Sequence, residues 1–119
     1  MFRLVVAALA LACVVSSAEA EVIGGRPAGC PYQFCGCGSS LRVFSKIIPA
    51  LNAARNWLRF PRTLPAPGMA AVRTHHVMIL QAPTSRPGIW LVYDPNGGRH
   101  LTWLHERSIR GYVIVNPHG

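Results

Sequence analysis

Cysteine, histidine and a scarce supply of acid define the chemistry this chain can carry. Cys30, Cys35 and Cys37 fall in one Gly/Pro-rich stretch, and His75 and His76 stand side by side where the apolar run Val77-Met78-Ile79-Leu80 begins. Asp94 and Asn96 follow the next apolar run, Ile89 to Tyr93. A thiolate is a nucleophile only when something favours the anion, and the free N–H groups and dipole of a helix start do so. Cys37 lies where the loop gives way to a helical pattern, so it is the expected nucleophile, with Cys35 as the alternative. The same free amides can receive the oxyanion of a tetrahedral intermediate. Gly36 and Gly38 would let substrate approach the backbone closely. A histidine at the first position of a buried strand can point into a cleft, which makes His76 the expected base and His75 its alternative. The base needs a partner on its other ring nitrogen, and Asp94 or Asn96 can supply it. His100, His105 and His118 read as surface residues.

The thiols have other uses. In an exported protein cysteines usually pair. Cys35 and Cys37 are too close to bridge comfortably. Cys30 with Cys35 or Cys37 closes a small loop, and Cys30–Cys35 is the bridge expected. Cys-x4-Cys-x-Cys is not a common zinc spacing, so neither metal nor cofactor is expected.

The elements that must position these groups can be read from periodicity. Residues 21–36 are aperiodic and read as a loop. Leu41, Val43, Phe44, Ile47 and Ile48 recur at helical spacing after Ser39 or Ser40, and Leu51, Ala54, Trp57 and Leu58 continue a helical stripe beyond Pro49. Five short strands follow: 69–72, 76–80, 89–93, 100–104 and 112–115. Asp94-Pro95-Asn96-Gly97-Gly98 between the third and fourth is a turn signal. The expected fold is α+β: N-terminal helices packed on a small antiparallel sheet arranged as a meander.

Composition narrows the setting. Arg3, the apolar run from Leu4 to Val15 and Ala18-Glu19-Ala20 read as a cleavable export signal over 1–20. That run is shorter than the roughly twenty residues a bilayer span needs. The remainder divides into a 21–36 segment and a 37–119 domain. Twelve basic residues against four acidic ones give a formal charge of +8, and beyond residue 20 the acids are only Glu21, Asp94 and Glu106. Such a balance favours an anionic cell-wall polymer or peptide, allows peripheral contact with an acidic membrane surface, and in an exported protein makes nucleic acid an unexpected partner. A monomer is expected.

The order of these parts resembles the CHAP family of cysteine, histidine-dependent amidohydrolases/peptidases, within the papain-like superfamily. Cys37 before Leu41-Arg42-Val43-Phe44 is similar to the nucleophile helix, and Asn52-Ala53-Ala54-Arg55-Asn56-Trp57 to the "GNA..W" helix. Pro67 to Val72 resembles the "P..GDIAV" strand, His75-His76-Val77-Met78-Ile79 the "GHVAIV" strand, and Val92 to Asn96 the "V.E.N" strand. Arg107 to Val115 resembles the closing strand. The likeness covers about 35–115. Ser40, His75 and Met69 replace the aromatic, glycine and aspartate usual there. It implies a papain-like fold, with Cys37, His76, Asp94 and Asn96 acting on amide bonds of peptidoglycan or a related substrate. Two rivals follow from the same residues: a non-catalytic exported or periplasmic binding or envelope protein on the same scaffold, and a basic membrane-active protein, which the lack of a long cationic amphipathic helix disfavours.

Overall fold

The structure is a computed structural model and describes residues 19–119. The expected export signal lies outside the described residues except for its last two positions. Six strands form one antiparallel sheet: β1 (Glu21–Gly24), β2 (Ala70–Arg73), β3 (His76–Pro83), β4 (Ile89–Gly98), β5 (Leu101–Ser108) and β6 (Val113–Val115), in the order β1-β5-β4-β3-β2-β6. Among the described residues, one α-helix, α1 (Cys35–Phe44), and two 3-10 helices, Pro49–Leu51 and Ala54–Arg59, complete the set. The domain is therefore α+β with a small antiparallel sheet, as expected. The helices do not open the fold, however. Residues 21–36 contain β1, paired with β5 through Glu21↔Leu104 and Val22↔Trp103, and the first two residues of α1.

The α1 helix starts at Cys35, two residues earlier than the periodicity suggests. Its opening residues, Cys-Gly-Cys-Gly-Ser-Ser, are poor helix formers, and Phe34 supplies no side-chain cap. Burial holds this turn instead, since every residue from Cys35 to Ser40 is buried. The helix ends at Ser45, left-handed at φ 60°, whose N–H bonds the carbonyl of Leu41, a helix stop more often built with glycine.

The stripe from Pro49 to Phe60 does not become one helix. Ala53 is extended, at φ −84° and ψ 120°, and divides it. The buried Trp57 then donates its indole N–H to the carbonyl of Leu51 at 2.9 Å, taking the acceptor that an α-helical Arg55 N–H would use.

Strands β2 to β5 form the expected meander, but β6 crosses the domain to pair with β2, Ala70↔Val115 and Val72↔Val113. A turn at Ile109–Tyr112, with Gly111 at φ 84°, redirects the chain. Arg73 fastens that turn by donating to the carbonyl of Arg110 and lying 4.3 Å from the Tyr112 ring centroid. The pleat sends alternate residues to opposite faces. Ala70, Val72, Val77, Ile79 and Val115 pack with Cys35, Leu51 and Trp57. Ala71, Met78, Leu80, Trp90 and Val92 pack on the other face with Met69, Ile109, Tyr112 and Ile114.

Asp94-Pro95-Asn96-Gly97-Gly98 is not the turn between strands. It is an irregular stretch inside β4, which runs on to pair Gly98 with Leu101. The reversal falls on Arg99 and His100, at φ 55° and 56°, as a two-residue hairpin turn requires.

Candidate functional site

The helix start decides which sulfur is free. Cys37 is bonded to Cys30, with a Cα–Cα distance of 5.7 Å, and Cys35 is the free thiol among the described residues. Cys37 is therefore not the nucleophile, and the expected Cys30–Cys35 bridge is replaced by Cys30–Cys37. The cause is helical geometry. Two positions along a helix turn a side chain by about 200°, so Cys35 and Cys37 point to opposite sides. Cys37 enters a buried cluster with Cys30, Phe34, Leu41 and Ile47. Cys35, in the first turn, turns toward β3 and lies 3.8 Å from the carbonyl oxygen of His75.

His76 is the imidazole in contact with that sulfur. Its Nε2 sits 2.6 Å from Asp94 Oδ1, and Cys35 lies close enough to the ring to help raise its pKa. Burial pulls the imidazolium down, but the bond and charge of Asp94 and the contact with Cys35 outweigh it and raise His76 from 6.5 to about 9. At neutral pH the ring is a cation. The His76 imidazolium and the positive helix end both face the sulfur. His75 is exposed and contributes its carbonyl rather than its ring to Cys35.

Asp94 is fully buried and holds three side chains. His76 takes Oδ1, while His105 Nε2 at 2.7 Å and Arg107 at 2.9 Å share Oδ2. Burial pushes the carboxyl up, yet these bonds, with His76 foremost, bring it below its ordinary value. His105 is therefore not a plain surface residue. His105 and Arg107 were missed because the fourth strand reads as ending at Leu104, whereas β5 continues to Ser108. Carried on at period two, Trp103, His105 and Arg107 share one face opposite Asp94, Val92 and Trp90. Gly97 is also required there, since a Cβ would lie 2.3 Å from Asp94 Oδ2.

Asn96 does not orient His76. It is left-handed at φ 57°, and its amide donates to Gln33 Oε1 at 3.0 Å. That bond leaves the Gln33 amide nitrogen as a donor. Gln33, Cys35, Asn52, Arg55, Thr74 and His75 line a cleft of about 370 Å³. Gln33 is a third residue the sequence did not flag; only its position two residues before Cys35 marks it. Gly36 and Gly38 serve packing rather than substrate access. A Cβ on Gly36 would lie 2.2 Å from the Leu51 carbonyl oxygen, and one on Gly38 2.6 Å from Pro95.

Cys35, His76 and Asp94 thus form a continuous line of sulfur, imidazole and carboxylate, with the sulfur opening on a cleft. Comparison with family models, curated proteins and solved structures finds no match to this chain.

Proposed function

We propose that the protein is an exported cysteine amidohydrolase or peptidase on a papain-like, CHAP-like scaffold, acting on amide bonds of peptidoglycan or a related peptide. The observation that carries this reading is the line Cys35–His76–Asp94, in which a free thiol at a helix start touches an imidazole that a buried carboxylate holds. In this reading Cys35, not Cys37, takes the nucleophile's place.

With His76 already protonated, Cys35 attacks the amide carbonyl carbon as its thiolate. The carbonyl oxygen becomes an oxyanion, met by backbone N–H groups at the start of α1 and by the Gln33 amide. As the intermediate collapses the C–N bond breaks, His76 gives its proton to the departing amine, and a thioester remains on Cys35. Water, deprotonated by His76, attacks the thioester; a carboxylic acid leaves, and the thiolate and the His76 imidazolium are restored. Asp94 holds His76 in one orientation and balances its charge throughout. Three features support the setting: the N-terminal export pattern, the Cys30–Cys37 disulfide, which suits an oxidising compartment, and a net charge of +8, which suits an anionic wall.

The test is release of new amino groups from purified peptidoglycan by the protein beginning at Glu21. Cys35→Ala and His76→Ala should each abolish release, while Cys37→Ala should retain it. Full activity in Cys35→Ala would sink the assignment.

A further inference from the structure

Two depressions meet at the catalytic pair. The first is the 370 Å³ cleft beside Cys35, with Asn52 and Arg55 in its wall. The second, about 530 Å³, lies on the His76 side and is lined by Leu58, Arg73, Gly111 and Val113 among others. Both include Thr74 and His75, so they join into one groove crossing the sulfur and the imidazole. Each half has one exposed arginine, Arg55 or Arg73, and neither half is lined by a carboxylate. The ion pairs among the described residues use Arg86 and Arg107 and leave Arg55 and Arg73 out. Asn52, in the wall of the first half, has a buried Oδ1 with no hydrogen-bond partner. A buried acceptor left unsatisfied is costly, and a substrate N–H would satisfy it.

From these features we infer that the groove selects acidic peptides, with carboxylates on both sides of the scissile amide. Asn52 accepts a backbone N–H of the substrate. Arg55 pairs with a carboxylate on the Cys35 side, and Arg73 with one on the His76 side. Arg73 has N–H groups to spare beyond the one given to Arg110, because a guanidinium carries five. The selectivity rests on the catalytic site proposed above, but its test does not require turnover.

The experiment uses the Cys35→Ala protein and two fluorescein-labelled peptides, Ala-Glu-Ala-Ala-Glu-Ala and Ala-Gln-Ala-Ala-Gln-Ala, read by anisotropy at physiological salt. The glutamate peptide should bind about tenfold more tightly, two exposed arginine pairs each contributing a few-fold. Adding Arg55→Gln should cost the glutamate peptide about three- to fivefold and leave the glutamine peptide unchanged. Adding Asn52→Leu should weaken both peptides alike. Arg59 and Arg62 are exposed and line neither half, so Arg59→Gln with Arg62→Gln is the charge control and should leave the preference intact. Equal affinity for the two peptides overturns the inference, as does a control that loses as much as Arg55→Gln. Because Arg73 also holds the 109–112 turn, the deciding variant is Arg55→Gln with an unchanged melting temperature. Glutamate-selective binding with no cleavage of peptidoglycan by the wild type would leave the groove standing and remove the hydrolase reading. Cleavage without selectivity would do the reverse.

Discussion

Asp94→Asn is the most informative single change, because it leaves the shape and removes the charge on which three groups converge. His76 stands at about 9 against 6.5 for the free side chain. At about 1.4 kcal/mol per unit, the folded state favours the imidazolium by roughly 3 kcal/mol. The pKa is raised, so this stability is fully present below about pH 6.5 and is lost as pH climbs through 9. In Asp94→Asn burial remains while the hydrogen bond to a charged partner is gone, so the ring stays neutral through that window and its contribution disappears. The variant should be destabilised by about 3 kcal/mol at pH 6, near the lower end for breaking a buried pair, since Arg107 is about one-third exposed and regains solvent. The difference between the two proteins should shrink by a similar amount by pH 9.5. Urea unfolding at pH 6, 7.5 and 9.5 measures this directly, and imidazole NMR reports the titration of His76 itself. Parallel stability curves, or a His76 that titrates near 6.5 in the wild type, would refute the reasoning.

Other expectations follow from single contacts. Cys37→Ala should remove the Cys30 bridge and cost about 2 to 3 kcal/mol in a chemical unfolding experiment, as expected for closing a loop of about eight residues, while Cys35 remains alkylatable by iodoacetamide. Gly36→Ala sets a Cβ 2.2 Å from a backbone carbonyl and should cost more than about 2 kcal/mol, visible as a large fall in melting temperature. Ser45→Gly relieves a left-handed residue at the end of α1 and should raise stability by about 0.5 to 1 kcal/mol. His105→Gln should leave Cys35 in place yet lower turnover and shift the acid limb of the pH–rate profile, because Asp94 loses one of the donors that fix it.

What could be read from the chain was whatever depends on local pattern. The apolar runs at 76–80 and 89–93 carry an alternation strong enough to mark strands, and the pair His76–Asp94 follows once those strands are neighbours. What could not be read depends on a register or on a competitor from elsewhere. A shift of two residues in the start of α1 exchanges the roles of Cys35 and Cys37, and nothing in Cys-Gly-Cys-Gly announces that start, because tertiary burial rather than helix propensity sets it. The turn signal at 94–98 is genuine turn chemistry, but glycine at 97 is there to clear the buried carboxylate, and the left-handed residues that reverse the chain are Arg99 and His100. The 49–60 stripe failed as a helix because Trp57 captured the Leu51 carbonyl, a contact that periodicity does not encode.

The scarcity of acid gives the site its electrostatic form. A chain of net charge +8 places one of its few carboxylates, Asp94, wholly inside, and surrounds it with His76, His105 and Arg107. A single buried carboxylate with one imidazole would leave about three of its roughly four lone-pair sites empty, including both on the second oxygen. His105 and Arg107 fill that capacity on Oδ2, so Oδ1 remains directed at His76 and the carboxylate has no reason to rotate. The His76 ring is thereby held through Nε2, with Cys35 nearby. In so small a domain Cys35 and His76 are held in place by this shared anion and by the Cys30–Cys37 crosslink. If that is so, His105→Gln combined with Arg107→Met should lower turnover by more than the product of the two single effects. The Asp94 side chain then loses both anchors at once, and residues acting through one common group are not additive.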